Sequence, residues 1–111
     1  MLPENITAIV ARNAHWSGEA HTEPYEAGWA REAVIFVRAL KDPVGPMPLA
    51  EIEISPDGIH WVREGTTVQM PVDQDGIAVA RVSHFGNWLR VSARFPSGSE
   101  ARVLVTVHAK A

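Results

Sequence analysis

Along most of the chain, apolar and polar residues alternate with a period of two, in runs rich in β-branched side chains and bounded by glycine, proline or aspartate. Successive side chains of an extended backbone point to opposite sides, so this alternation predicts strands with one dry and one wet face. The segments that fit are Asn5 to Arg12, Ala33 to Leu40, Ala50 to Ser55, Ile59 to Glu64, Ile77 to Val82, Trp88 to Phe95 and Ala101 to Lys110, with "TTVQM" as a short addition. In "AEIEIS", Ile52 and Ile54 share one side and Glu51 and Glu53 the other. In "WLRVSARF", Leu89, Val91, Ala93 and Phe95 oppose Trp88, Arg90, Ser92 and Arg94, and in "RVLVTVHAK" Val103, Val105 and Val107 point inward. Several half-buried strands separated by turns predict an all-β fold, an antiparallel two-sheet β-sandwich of jelly-roll or immunoglobulin-like type with about seven or eight strands.

The punctuation between these runs agrees with that reading. "SPDG", Ser55 to Gly58, fits a type I turn, with Pro56 fixing φ at the second position and Gly58 taking the left-handed return. Trp61, three residues further on, is expected to clamp the hairpin, so Pro56, Asp57, Gly58 and Trp61 form one structural turn. "FPSGSE" is expected to join the last two strands as a hairpin, and "VDQDG" to lead into the strand at Ile77. "KDPVGPMP", Lys41 to Pro48, holds three prolines and a glycine and is expected to cross from one sheet to the other. Only "EPYEAGWAREA" offers a helical turn, which Pro24 and Gly28 keep short.

Composition narrows what such a sandwich can do. At 111 residues the chain is one domain, residues 1–111, with an N-terminal arm and a long aromatic loop at 12–32. The net charge of -3 offers no electrostatic footprint for nucleic acid or an anionic membrane. The absence of cysteine excludes disulfides, thiolate metal sites and cysteine nucleophiles together. The start, "MLPENITAIVARN", lacks the basic and apolar regions of a secretory signal, and no run reaches the length of a membrane helix. The expectation is a protein made in a cytoplasm, without a signal peptide.

Candidate chemistry is sparse. Histidines at 15, 21, 60, 84 and 108 show no spacing that would pair two imidazoles on one strand, so no metal site is expected. Ser83 with His84, and Asp57, Asp73 and Asp75, supply no nucleophile elbow, phosphate loop or paired acids. "VDQDG" matches a calcium loop only in its first two acids. No enzyme and no cofactor are expected. Arg81, Arg90, Arg94 and Arg102 suggest either a basic stripe or cross-strand pairs with Glu51, Glu53 and Glu100. Residues 1 to 55 hold four basic and eight acidic groups against six and five in the remainder, a polarity that would help identical subunits meet head to tail.

The segment Arg12 to Glu32 is long for a loop, polar, and yet contains Trp16, Tyr25 and Trp29. Loops of this length in compact domains are functional or disordered, and disordered segments are poor in aromatics. The three rings therefore either cover an open end of the sandwich or form an interface.

"ISPDGIHW", followed by "NWLRVSA" and a closing "VLVTVHAK", resembles small β-sandwich proteins of tailed-phage structural genes. In these a serine-x-aspartate-glycine-x-x-tryptophan turn precedes a strand with an LRV-type motif. The resemblance spans Ala50 to Lys110, about half the chain, and mainly encodes a hairpin. The same strands look like a pair in discoidin-like domains, which bind sugars or lipid head groups, but the chain is shorter, lacks their cysteines and matches none of their binding loops. No binding residue is carried over from either. The phage-type resemblance implies a structural protein of a virion, a capsid decoration, cement or tail-accessory protein, contacting other copies of itself and neighbouring virion proteins through its arm and aromatic loop. The alternative is a carbohydrate-binding module in which Trp16, Trp29 or Trp88 stacks on sugar rings.

Overall fold

A computed structural model describes residues 5–111. Its elements are β1 (Asn5–Ser17), β2 (Glu19–His21), β3 (Tyr25–Glu26), β4 (Glu32–Ala39), β5 (Leu49–Ser55), β6 (Val62–Gln69), β7 (Ile77–Ser83), β8 (Trp88–Arg94) and β9 (Glu100–Lys110). They form two antiparallel sheets, one ordered β1-β9-β4-β7 and the other β2-β8-β5-β6 with β3 also paired to β8. The fold is the expected β-sandwich, a slab with extents of 46 × 28 × 19 Å. No helix among the described residues is long and apolar enough to cross a membrane.

The core follows from the alternation. Ile35 and Val37 of β4 and Val103, Val105 and Val107 of β9 turn inward from the four-stranded sheet. Ile52 of β5 and Leu89 and Val91 of β8 meet them from the other. Two of the expected boundaries move. Ile59 and His60 belong to the turn, and the strand beyond it begins at Val62 and absorbs "TTVQM" up to Gln69. That strand carries a wide irregularity: Glu51 pairs with Thr67 but Glu53 with Arg63, so Glu64, Gly65 and Thr66 bulge opposite Ile52, with Gly65 at φ 114°.

One of the expected connections needs correcting. "FPSGSE" does not close a hairpin: β8 pairs with β2, β3 and β5, and β9 with β1 and β4, so the segment arches between the sheets. A hairpin and an arch both join two strands with one dry face, and only the partners of those strands separate them. "SPDG" does close the β5–β6 hairpin, and "KDPVGPMP" does pass between sheets, pinned midway by a bridge between Val44 and Glu100.

Residues 12–32 are far more ordered than a loop. Arg12 to Ser17 extends β1, Gly18 at φ 57° turns the corner between the sheets, and β2 and β3 lie in succession along β8. Thr22 spans the gap between those two short strands. Its N–H donates to Val91 O at 2.9 Å, and its buried hydroxyl accepts from Val91 N at 3.1 Å, so β8 keeps its hydrogen bonds where the flanking strand breaks.

Candidate functional site

The two outer faces of the sandwich differ in kind. On the five-stranded sheet the outward positions carry a set of charges that are already paired. Arg90 Nε donates to Glu53 Oε1 at 2.8 Å, Arg63 Nε lies 2.8 Å from Glu51 Oε2, and Arg94 Nη2 donates to Glu19 Oε1 at 2.7 Å. Of these only the Arg90–Glu53 pair is largely shielded from solvent. Together with His21, Leu49 and Ser92 they line a shallow groove of about 310 Å³. The four arginines of the expected stripe are divided between the sheets, since Arg81 lies on β7 and Arg102 on β9, where Arg102 Nη1 donates to Asn13 O at 3.1 Å.

The turn at one end of this face is built around two side chains. Ser55 Oγ accepts from the N–H groups of Asp57 and Gly58 at 3.2 and 2.8 Å and donates to Asp57 Oδ1. Asp57 Oδ1 in turn accepts from the N–H groups of Ile59 and His60 at 2.8 and 2.9 Å, while Oδ2 lies 2.7 Å from His60 Nδ1. The His60 backbone N–H, with its ring and the Ile59 N–H behind it, holds the Asp57 carboxyl far below the ordinary carboxylate range. The indole packed on the turn is that of Trp88: a Cβ placed on Gly58 would lie 3.1 Å from its ring. Trp61, expected to be the clamp, instead carries the Arg90 guanidinium 4.3 Å from its ring centre.

The aromatics of 12–32 are dispersed. Trp16 is buried, pairs across the ladder with Ala101, and stands edge-on to Phe95 at 6.5 Å and 74°. Tyr25 pairs with Leu89 and packs against the core. Trp29 alone of the three is exposed. A contact built by Trp16 and Trp29 together does not fit this placement, because the corner at Gly18 carries the chain from one sheet to the other between them.

The four-stranded sheet presents an apolar outer face. Ile9, Thr106, Phe36 and Val79 stand in one row across all four strands. Leu104, Arg38 and Ile77 form the next row, and Thr7, His108, Val34 and Arg81 the one on the other side. Ile77 is 62% exposed, Ile9 44% and Val79 41%. Phe36 meets the His108 ring edge-on at 5.2 Å and 86°, and a hollow of about 350 Å³ opens among Phe36, Arg38, Ile77, Leu104, Thr106 and His108. His108 is tied on both nitrogens, 3.1 Å from Thr7 Oγ1 and 3.2 Å from Thr106 Oγ1. The signal for this face was present in the sequence: "AVIFV" is an unbroken apolar run and "VLVTV" is interrupted only by Thr106, the mark of strands apolar on both sides, whereas attention to the inward positions alone passes over Phe36, Leu104 and Val79. Among the described residues no group of three or more histidine and acidic side chains gathers as metal ligands would.

A two-sheet antiparallel sandwich with one face of paired charges and one face with an exposed apolar centre is thus the class of protein to be compared. The crystal structure of the SPBc2 prophage-derived protein YomS shares this fold, with a TM-score of 0.66 over 100% of this chain and 96% of that one at 7% sequence identity. No protein-family model matches the chain, and no curated protein matches it in sequence.

Proposed function

We propose that this chain is a non-enzymatic structural protein of a phage-like particle, a capsid decoration, cement or tail-accessory protein that acts through subunit contacts and resides in the virion. The observation that carries the reading is the apolar centre of the outer face of the four-stranded sheet, where Ile9, Ile77 and Val79 are exposed and a hollow opens among Phe36, Ile77, Leu104 and their polar neighbours Arg38, Thr106 and His108. Exposed apolar surface clustered on one face of a small domain is the mark of a contact with another protein. The full-length match in fold to a prophage-derived protein supports the particle context.

A carbohydrate-binding module would need rings free to stack on sugars. Trp16 is in the core and Trp88 lies against Gly58, which leaves Trp29 as the exposed ring of that set. The decisive experiment adds purified protein to phage-like particles that lack it and measures co-sedimentation, with a glycan array in parallel. Saturable particle binding without glycan binding is the expected result; glycan binding with no particle binding overturns the reading.

A further inference from the structure

We propose that the outer face of the four-stranded sheet is a self-association surface, on which a second copy of this chain packs face to face about a two-fold axis. This rests on the particle reading and names the partner at that face. The first argument is extent. Four strands about 4.8 Å apart, with outward rows about 6.8 Å apart, give a face of roughly 500–600 Å² per copy, so two apposed copies bury upward of about 1,000 Å², the threshold for a specific interface. The charged face of the other sheet cannot be covered in this way without breaking the Arg90–Glu53, Arg63–Glu51 and Arg94–Glu19 pairs or burying them.

The second argument is self-complementarity, which a two-fold contact demands because the same patch is on both sides. The face carries both a hollow and the knobs to fill one: the cavity among Phe36, Leu104 and Ile77 lies beside the projecting Val79 and Ile9. Its charges are mixed at each end. Lys110 and Glu32 are cross-strand neighbours at one end. At the other, Arg38 Nη2 lies 2.8 Å from Asp75 Oδ1, and Arg102 stands two residues from Glu100 on β9. Both ends thus offer acids as well as cations to a facing copy, Arg81 is one further outward cation beside Val34, and the centre along Ile9, Thr106, Phe36 and Val79 is free of charge.

The test is sedimentation velocity from low to high micromolar protein, comparing the natural chain with Val79→Asp and Val62→Asp. Val79 and Val62 are both exposed strand valines, but Val62 belongs to the other sheet. The natural protein and Val62→Asp should sediment as dimers, and Val79→Asp should weaken association at least about tenfold with circular dichroism unchanged and melting lowered only by the lost mass-action contribution of the dimer. Should Val79→Asp fail to fold, Ile77→Asp, at the most exposed of the face's large apolar side chains, replaces it. A natural protein monomeric throughout, or equal weakening by Val62→Asp and Val79→Asp, overturns the proposal. The same variants are then added to particles lacking the protein. Loss of particle binding by Val79→Asp from a monomeric natural protein overturns self-association but leaves the particle reading standing. Absence of particle binding by a natural dimer overturns the particle reading and leaves self-association intact.

Discussion

The guanidinium carbon of Arg90 sits 4.3 Å from the centre of the Trp61 ring while its Nε donates to Glu53 at 2.8 Å, so one cation satisfies an acid and covers an indole at once. This is a closed arrangement. The three residues come from β8, β5 and the approach to β6, and they tie neighbouring strands together on the outside of the sheet. On the opposite sheet His108 is likewise fastened to Thr7 and Thr106, but Ile9, Ile77 and Val79 stand exposed beside it, and that contrast is why the contact surface is placed there.

Trp61→Ala should therefore cost about 1–2 kcal/mol, the worth of a partly desolvated cation–π contact and some half-buried area, well below the 3–5 kcal/mol of a core tryptophan. Arg90→Ala should cost more, roughly 2–3 kcal/mol, because it also strands the Glu53 carboxylate, whose side chain is 17% exposed. Urea denaturation of both variants decides the order. A Trp61→Ala loss above that of Arg90→Ala would put the indole in the core after all.

The two tryptophans of 12–32 should behave in opposite ways. Trp16→Ala empties a buried site beside Phe95 and should cost about 3–5 kcal/mol, whereas Trp29→Ala removes an exposed ring and should stay within about 0.5 kcal/mol. Thermal melts of the two single variants are enough. Equal losses would mean that Trp29 is packed as tightly as Trp16.

The fold was largely legible in the sequence because alternation reports burial directly, and Leu89, Val91, Val103 and Val105 all turn inward as their spacing requires. Sheet membership was not. Phe95 and Ala101 have the same parity whether "FPSGSE" forms a hairpin or an arch, and β1 reaches β9 across nearly the whole chain, so local residues hold no trace of that pairing. The polar look of Arg12 to Glu32 hid β2 and β3, which are too short to show a period and depend on Thr22 for continuity. The apolar outer face was legible in part. "AVIFV" states that β4 is apolar on both sides, but Ile9 and Val79 join Phe36 only through the register of four strands distant in sequence.

The Asp57 turn should make stability depend on acid. Its folded-state pKa is depressed below the unfolded value of about 3.9, so its contribution is present above about pH 4 and is lost as pH falls further toward the folded value. Asp57→Asn removes that contribution at every pH. The gap in urea midpoint between the natural protein and Asp57→Asn should be constant from pH 7 to about pH 5 and shrink steadily between about pH 4 and pH 2. A gap that stays constant to pH 2 would show that the carboxylate gains nothing from the N–H groups of Ile59 and His60.

A final expectation concerns the loop that crosses between sheets. Val44 exchanges two backbone hydrogen bonds with Glu100, at 2.9 and 3.0 Å, which presses Gly45 against the start of β9. Gly45 has φ 76°, and a Cβ there would lie 2.6 Å from Ser99 Oγ and 3.2 Å from Gly98 O. Ser99 Oγ is itself buried with no hydrogen-bond partner. Gly45→Ala should thus cost about 2–3 kcal/mol from backbone strain and overlap, while Ser99→Ala, which removes an unsatisfied hydroxyl, should be neutral or stabilising by up to about 1 kcal/mol. In the double variant the overlap with Oγ disappears, but the positive φ and the approach to Gly98 O remain. Ser99→Ala should consequently recover about 0.5–1.5 kcal/mol of the Gly45→Ala loss beyond its own effect, and not all of it. A double-mutant cycle by urea denaturation measures this. Strict additivity would show that the loop withdraws from β9 when Gly45 is replaced, so that the Val44–Glu100 bridge is too weak to hold it in place.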